Sequence, residues 1–519
     1  MTDSEDGEMK NVVDIKKRVE ERRAKEAEEY SSQTGDGGGL SSSFVRQCLN
    51  ANELGDGILY AHLNQNAFLF CQNFNHWIVW NGNHWEMDIM KRSHFAVEKV
   101  CEAYLQEISR EYDLAKKKNS DPDGALIKNL YQRVKKLRTK AGRNNCMEFS
   151  TQCEFPLAIR GDELDTNPWL LACGNGVVDL ETGVFRPGRQ DDLLLKATPV
   201  LWKEIDEPCP EWEKAILEIF SGNKDLVEYF QRLFGYAITG LSVEHIFPVF
   251  HGQGRNGKTM ITDTLCKVMG ELAAPIQSDL LLDQGRARAS AGPSPDLMAL
   301  KGLRIAVASE TDQGRKISPS RTKWITGGDE VVARSPHDKY ETKFTPTHTL
   351  FLLTNNKPHA PADDFAFWER VHLIPFLVSF VDRNPEEENE RRRDRDLPAK
   401  LTKELSGILS WLVRGCLQWQ QEGLNPPPIV KQATQEYKRD EDLLGDFFEE
   451  CCVTGPEYDV NATDLYKEFK TWWEESISKN SPSQKTFGRL VGKRFEKQKK
   501  GGLYRYFGVA LVDQIHESL

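Results

Sequence analysis

One stretch, His251-Gly-Gln-Gly-Arg-Asn-Gly-Lys-Thr259, constrains this chain more than any other. The apolar run Glu244-His-Ile-Phe-Pro-Val-Phe250 before it predicts a short buried strand. After it, Met260 to Leu272 predicts an amphipathic helix with Ile261, Leu265, Val268 and Met269 on one face. Strand, glycine-rich turn and helix, in that order, let successive backbone N–H groups converge on a phosphate. Gly252, Gly254 and Gly257 permit the tight curl, and the helix N-terminus adds partial positive charge. The spacing G-x-x-x-x-G-K-T is met without a gap. Gly252, Gln253, Gly254, Arg255, Asn256, Gly257, Lys258 and Thr259 are therefore expected to cradle the phosphates of ATP. Lys258 would reach the β- and γ-phosphates, and the Thr259 hydroxyl would ligate Mg²⁺.

The 519 residues are too many for one core and suggest about three or four domains. An apolar share of 39 % beside 28 % charged residues is ordinary for a globular protein. No run approaches the ~20 apolar residues of a membrane span, and the first residues lack a signal peptide's apolar core. The eleven cysteines show no paired C-x-x-C spacing, which predicts reduced thiols and an intracellular, cytoplasmic protein without a membrane partner. A net charge of −11 excludes whole-surface binding to nucleic acid but leaves room for a local basic lining.

Residues 1–40 are mostly solvated charge closed by Gly37-Gly-Gly39, a disordered leader. An α+β domain is expected over 41–205. Its strands are Ala67–Phe70 and Trp77–Trp80, with a hairpin turn at Asn81-Gly-Asn83 before Trp85. Trp77, Trp80 and Trp85 are buried aromatics of a small sheet or, with a basic surround, base-stacking residues. Helices follow near 94–118 and 122–141, the second carrying Lys135, Lys136, Arg138, Lys140 and Arg143. That cluster reads equally as a nucleic-acid face or a solvated helix end. A hairpin is expected at Asn175–Phe185 and helices near 211–220 and 224–238. The nucleotide domain with its helical collar spans 206–425, ending in a helix over 397–421 and a linker at Asn425-Pro-Pro-Pro428.

A phosphate-binding turn alone does not separate kinases, switches and motors, so the downstream runs matter. Leu303–Glu310 is a strand delivering an acid: Glu310 would polarise the attacking water and support the metal, with Asp312 in reserve. Thr349–Asn356 is a second strand ending in amides. Asn355, the first residue past the apolar run, would hydrogen-bond the water and the γ-phosphate. Arg370 precedes a third strand, His372–Phe376, where it could stabilise charge on a transferring phosphoryl group or form a plain surface ion pair. Between the strands, Val331–Arg334 and Tyr340–Phe344 form a hairpin with His337 and Lys339 at its tip. In a ring such tips would line a central hole and grip a nucleic-acid backbone.

Gly252-x-Gly-x-Asn-Gly-Lys-Thr259, Ala308-Ser-Glu310, Thr326-Gly-Gly-Asp329, Thr354-Asn355-x-x-Pro358 and Trp368-x-Arg370 together resemble the superfamily 3 helicases. More closely, the chain resembles the phage/plasmid primase-helicase family that includes poxvirus primase-helicases. That likeness runs from about residue 60 to the C-terminus and takes in Gly235–Gly240 and Glu404–Trp411. The resemblance implies an α/β, AAA+-like P-loop NTPase core. It implies Lys258 and Thr259 as Walker A, Glu310 as Walker B, Asn355 as sensor 1, and Arg370 as a finger acting on a neighbouring subunit's ATP. Lys323 belongs to the motif before the hairpin, and Lys339 matches the loop that contacts single-stranded DNA. The chain departs from many superfamily 3 members in having Ser309, not an acid, before Glu310. No zinc-binding or acidic primase motif precedes the turn, so primer synthesis is expected on a separate polypeptide, a primase or polymerase partner.

A C-terminal winged helix is expected over 430–519, built from helices at 441–452, 461–475 and 483–495 and a hairpin at 501–511. Lys485, Arg489 and Lys493 would form one stripe of the third helix, and Arg494, Lys497, Lys499, Lys500 and Arg505 extend the charge into the wing. Such a module binds DNA or docks a protein. The expectation is thus an ATP-dependent DNA helicase, a homo-oligomeric ring and a hexamer, acting on single-stranded and forked DNA. Resemblance implies 3′→5′ movement in replication of a phage, plasmid or integrated element. The alternatives are an ATP-dependent initiator or DNA-binding switch, and a small-molecule kinase.

Overall fold

The computed structural model describes residues 40–283, 293–309, 315–336, 341–476 and 481–512. The leader expected over 1–40 lies outside them except for Leu40, and Glu310, Asp312, His337 and Lys339 lie outside them too. Two units divide the chain. The first runs to Asn167 and adds Asn175–Val177 and Arg186–Ala197; the second holds Pro168–Gly174, Val178–Phe185 and everything from Thr198.

The first unit begins with helices α1 (Ser42–Asn50) and α2 (Asn52–Asn64). A sheet follows from β1 (Phe68–Cys71), β2 (His76–Trp80) and β3 (Trp85–Met87), with β4 (Ala158–Ile159) parallel to β1. The turn at 81–84 sets the register Trp80 opposite Trp85, and these rings meet edge-on at 5.5 Å. Trp85 is 2 % exposed and donates Nε1–H to Gln190 O, so it is a core residue of this sheet. Helices α3 (Val97–Lys118), α4 (Gly124–Leu137) and α5 (Lys140–Ser150) then pack Tyr60, Val97, Tyr104 and Leu130 into one apolar cluster. The helix expected over 122–141 ends at Leu137, and a separate helix begins at Lys140. Thr139 accepts from Gly142 N at 3.1 Å and caps the start of α5, ending α4 behind it. Three cations of the expected basic face are ion-paired there: Lys136 with Glu53, and Arg138 and Arg143 with Glu98.

The second unit is organised by strands that are apolar at successive positions, the pattern of a sheet covered on both faces. Helices α6 (Pro210–Ile219) and α7 (Lys224–Ala237) lead into β5 (Phe247–His251) and α8 (Lys258–Met269). Then come β6 (Ala273–Ile276), β7 (Ile305–Ser309) and α9 (Pro319–Thr326). The hairpin β8 (Val331–Ala333) and β9 (Thr342–Phe344) pairs Val331 with Phe344, and β10 (Thr349–Thr354) follows. Past the short helix α10 (Phe365–Trp368) lies β11 (Val371–Pro375). Strands β11, β5, β10, β7 and β6 form one sheet in that order, every pair parallel. Its residues alternate between two cores. Phe250, Val307, Phe351 and Leu353 face one; Val249, Ala306, Leu350 and Leu352 face the other.

Beyond the sheet, β12 (Ser379–Val381) pairs with β13 (Glu390–Arg392). The helix expected over 397–421 breaks into α11 (Leu397–Lys403) and α12 (Leu405–Glu422). At the break, the Glu404 carboxylate accepts from Glu211 N and Trp212 N, capping α6. Helices α7 and α12 cross so closely that a Cβ on Gly235 would lie 2.1 Å from Cys416 N. A helix not foreseen in the sequence, α13 (Pro428–Asp440), packs on β11.

The C-terminal part comprises α14 (Leu443–Cys451), β14 (Cys452–Asn461), α15 (Ala462–Ser476), α16 (Gln484–Val491), β15 (Glu496–Lys500) and β16 (Leu503–Leu511). Two expectations need correction. The third helix stops at Val491, so Lys493 is off its stripe. The hairpin is 496–511 rather than 501–511, and a third strand, β14, pairs with β16. All eleven cysteines are thiols, and no helix among the described residues is long and apolar enough to cross a membrane.

Candidate active site

Every strand of the parallel sheet points its C-terminal end the same way, and the glycine-rich turn leaves that edge from β5. Gly252 is held against β11's exit: a Cβ there would lie 2.2 Å from Phe376 O and 2.6 Å from Asn256 Nδ2. Asn256 is 3 % exposed and donates Nδ2–H to Phe376 O at 3.4 Å. Gly257 has φ +91°, which favours glycine, and Arg255 takes φ +63°. Gly254 and Gln253 are exposed, with nothing within 4 Å of a Cβ at Gly254. Gly252→Ala should therefore cost about 1–3 kcal/mol of stability by overpacking against backbone. Gly254→Ala should leave the apo melting midpoint unchanged. Thermal melting of both variants checks the contrast.

Lys258 opens α8 and is 6 % exposed. Its ammonium donates to Gly252 O at 2.5 Å and to Asn355 Oδ1 at 3.0 Å, and among the described residues no carboxylate forms an ion pair with it. Burial lowers its pKa from 10.5 to about 8. A buried cation whose acceptors among the described residues are all neutral is arranged for an anion. Thr259 beside it is exposed, its hydroxyl available to a metal or phosphate at the first turn of α8, where backbone N–H groups lack intrahelical acceptors. Asn355 follows the last residue of β10, and β7 ends at Ser309 beside it, one residue before Glu310. The structure thus brings Lys258, Thr259 and Asn355 together at one edge.

A cavity of about 420 Å³ opens beside the turn, within the range of small-molecule sites. Arg255, Asn256, Gly257, Lys258 and Thr259 line one side, and Ile219, Phe380, Leu397 and Pro398 give an apolar wall. Arg392, Arg393 and Arg395 add positive charge; the latter two lean on Asp382. None of these wall residues was singled out in the sequence. They lie far along the chain on either side of the turn, in segments without a motif, and only the fold joins them to it.

Arg370 is elsewhere. Its carbonyl accepts from Phe247 N at 2.5 Å, so it lies at the N-terminal edge of the sheet, where β5 begins rather than ends. Five residues of strand separate those edges, roughly 15 Å. Its Nη1 donates to Ala366 O, and its Nε is buried without a partner among the described residues. Lys323, on α9, pairs with Asp364 at 2.8 Å beside the same corner. Lys485 and Arg489 are exposed on α16, whereas Lys493 is ion-paired with Asp363.

Residues 57–221 match the family described as D5 N terminal like. A protein of Acanthamoeba polyphaga mimivirus named "Putative helicase L207/L206" is 28 % identical over 380 residues, which cover 70 % of this chain and 39 % of the relative. "Putative primase C962R" of African swine fever virus (isolate Tick/Malawi/Lil 20-1/1983) is 24 % identical over 353 residues, covering 63 % and 36 %. These likenesses support kinship with a phage and viral primase-helicase family. A further relative, "Putative helicase 022R" of Frog virus 3 (isolate Goorha), is 25 % identical over 433 residues, covering 69 % and 43 %. The chain spans about two fifths of the length of the curated relatives it matches. Among solved structures, "The apo structure of NrS-1 C terminal region (305-718)" aligns with a TM-score of 0.45 at 12 % identity, covering 88 % of this chain and 99 % of that one.

Proposed function

We propose that this protein is an ATP-driven DNA helicase whose subunits assemble into a ring, a hexamer on this reading, that hydrolyses ATP between neighbours and moves 3′→5′ on single-stranded DNA during replication of a virus or mobile element. The observation that carries the reading is the buried Lys258, without a carboxylate partner among the described residues, in a glycine-rich turn facing a cavity at the C-terminal edge of a parallel sheet. That edge is where open α/β sheets take their ligands. The names of the viral relatives support the same direction.

The residues fit a nucleoside triphosphate. The N–H groups of the turn and Lys258 would hold its phosphates, and the apolar wall of the cavity would hold its base. Mg²⁺, held by Thr259 and Glu310, would supply charge neutralisation at the phosphates. Asn355 orients Lys258 and offers its amide toward the same space, and Glu310 is assigned the orientation of the attacking water. Arg370, at the far edge of its own sheet, is assigned to the site of the next subunit, because it is too distant to serve its own. His337, Lys339 and Lys323 are assigned to the strand in the pore. For Lys323 this requires exchanging Asp364 for a phosphate. The C-terminal helices and hairpin are read as a winged helix with Lys485 and Arg489 toward DNA. Lys493 would join them only on leaving Asp363.

The test uses the full chain with ATP, Mg²⁺ and partial duplexes carrying 3′ or 5′ single-stranded tails. The reading predicts DNA-stimulated hydrolysis and strand displacement from the 3′-tailed substrate. Duplex binding and ATP turnover without displacement would replace it with an ATP-dependent initiator or switch. Hydrolysis indifferent to DNA would remove DNA from the account.

A further inference from the structure

The C-terminal hairpin has a face that the helix contacts above leave unexplained. Its turn is the two residues Gly501 and Gly502, with φ +60° and +83°, the pair of positive values that the tightest hairpin connection requires. The register then sets Lys499 opposite Tyr504 and Lys497 opposite Tyr506. Those four side chains share one face, because successive residues of a strand alternate. Tyr506 is buried and donates its hydroxyl to Gly488 O of α16, so this is the face on which the helix of Lys485 and Arg489 packs.

Tyr504 stands farther out, at the tip, and is 57 % exposed. The Lys497 ammonium lies 4.9 Å from its ring centroid and 5.4 Å from that of Tyr506. Lys497 and Lys499 are exposed and form no ion pair among the described residues. The cations of the opposite face differ, since Asp459 holds both Arg505 and Lys500. The hairpin therefore neutralises one face and keeps the other cationic around an exposed aromatic ring.

We propose that this tip is a stacking platform for an unpaired base of single-stranded nucleic acid, with Tyr504 against the base face and Lys497 and Lys499 on the adjoining phosphates. A flat ring flanked by ammonium groups that no described carboxylate neutralises matches a base flanked by phosphates, whereas a paired base within a duplex presents only its edges to such a ring. The inference rests on the nucleic-acid-binding part of the proposed function and is independent of its ring mechanism.

The test is binding of fluorescent oligo-dT, oligo-rU and a blunt duplex to the full chain without nucleotide, together with photocrosslinking to iododeoxyuridine in the single strand. Tyr504→Ala should weaken both single strands roughly tenfold and leave the duplex unchanged, and Tyr504→Trp should restore the loss. Lys497→Ala should lower the salt dependence of single-strand binding by about 0.7 in log–log slope, which Tyr504→Ala should not. The crosslink should map to the peptide containing Tyr504. A loss confined to oligo-dT would overturn recognition through the base face alone. Unchanged single-strand affinity with the crosslink elsewhere, or an equal loss on duplex, would overturn the platform. If hydrolysis were still DNA-stimulated in that case, the helicase reading would survive it. Wild-type chain that bound no single strand at all would end both.

Discussion

Replacing Lys258 with methionine should abolish ATP hydrolysis, lowering turnover at least ~100-fold, while leaving the apo chain as stable as wild type or more so. The two halves of that result have one cause. Lys258 is buried beside Gly252 O and Asn355 Oδ1 with no paired acid among the described residues, so its charge is costly until an anion arrives. Methionine removes the cost and the anion partner together. The wild type should also carry a pH signature. Its folded pKa of about 8 lies below the model-peptide value of 10.5, so the unfolded chain binds more protons between those values. Stability should accordingly rise with pH across about 8 to 10.5, and Lys258→Met should lose that rise. Nucleotide binding runs the other way. A bound triphosphate favours the ammonium, so affinity should fall above about pH 8 by up to tenfold per unit. Denaturant unfolding and nucleotide titration at several pH values read both signs. A wild-type affinity flat from pH 7 to 10 would remove Lys258 from the phosphate contact.

Arg370→Ala should leave nucleotide affinity within about twofold of wild type and lower turnover ~10³-fold or more, the range of an arginine supplied in trans. The separation of effects follows from the sheet. Arg370 sits where β5 starts, hydrogen-bonded through its carbonyl to Phe247 N, while the glycine-rich turn leaves where β5 ends. Side-chain reach does not close roughly 15 Å of strand, so losing the guanidinium cannot disturb binding in its own subunit. The cost to the fold should be small, since its Nη1 makes a single hydrogen bond to Ala366 O and its Nε has no partner among the described residues. Isothermal titration with a non-hydrolysable analogue, set beside steady-state turnover, separates binding from hydrolysis.

Three strands of the parallel sheet were legible because Phe247–Phe250, Ile305–Ala308 and Thr349–Thr354 are apolar without alternation, and such runs have few other destinations. The turn was legible because its spacing and flanks are local. What escaped reading was long-range. Strand Cys452–Asn461 has Gly455 and Pro456 within it and no clean alternation, and its partner β16 lies some fifty residues later in the chain. The split of α12 from α11 depends on Glu404 capping a helix that precedes it by almost two hundred residues. The end of α16 at Val491 moved Lys493 from an expected DNA stripe to an ion pair with Asp363, which the i, i+4, i+8 count could not see. Likewise Ile219, Phe380 and Leu397 become one wall of the cavity only once the sheet has folded. One local signal was passed over: Thr139 after a run of helix is an N-cap, and it divides α4 from α5.

Mixing two inactive variants measures the shared site most directly. Lys258→Met keeps Arg370, Arg370→Ala keeps Lys258, and each alone should be inactive. In a ring of head-to-tail contacts, about one adjacent pairing in four unites an intact Lys258 with an intact neighbouring Arg370, so an equimolar mixture assembled on single-stranded DNA should regain roughly a quarter of wild-type turnover. Turnover in the mixture no higher than the sum of the two variants alone would contradict the account, as would Arg370→Ala hydrolysing ATP at the wild-type rate by itself.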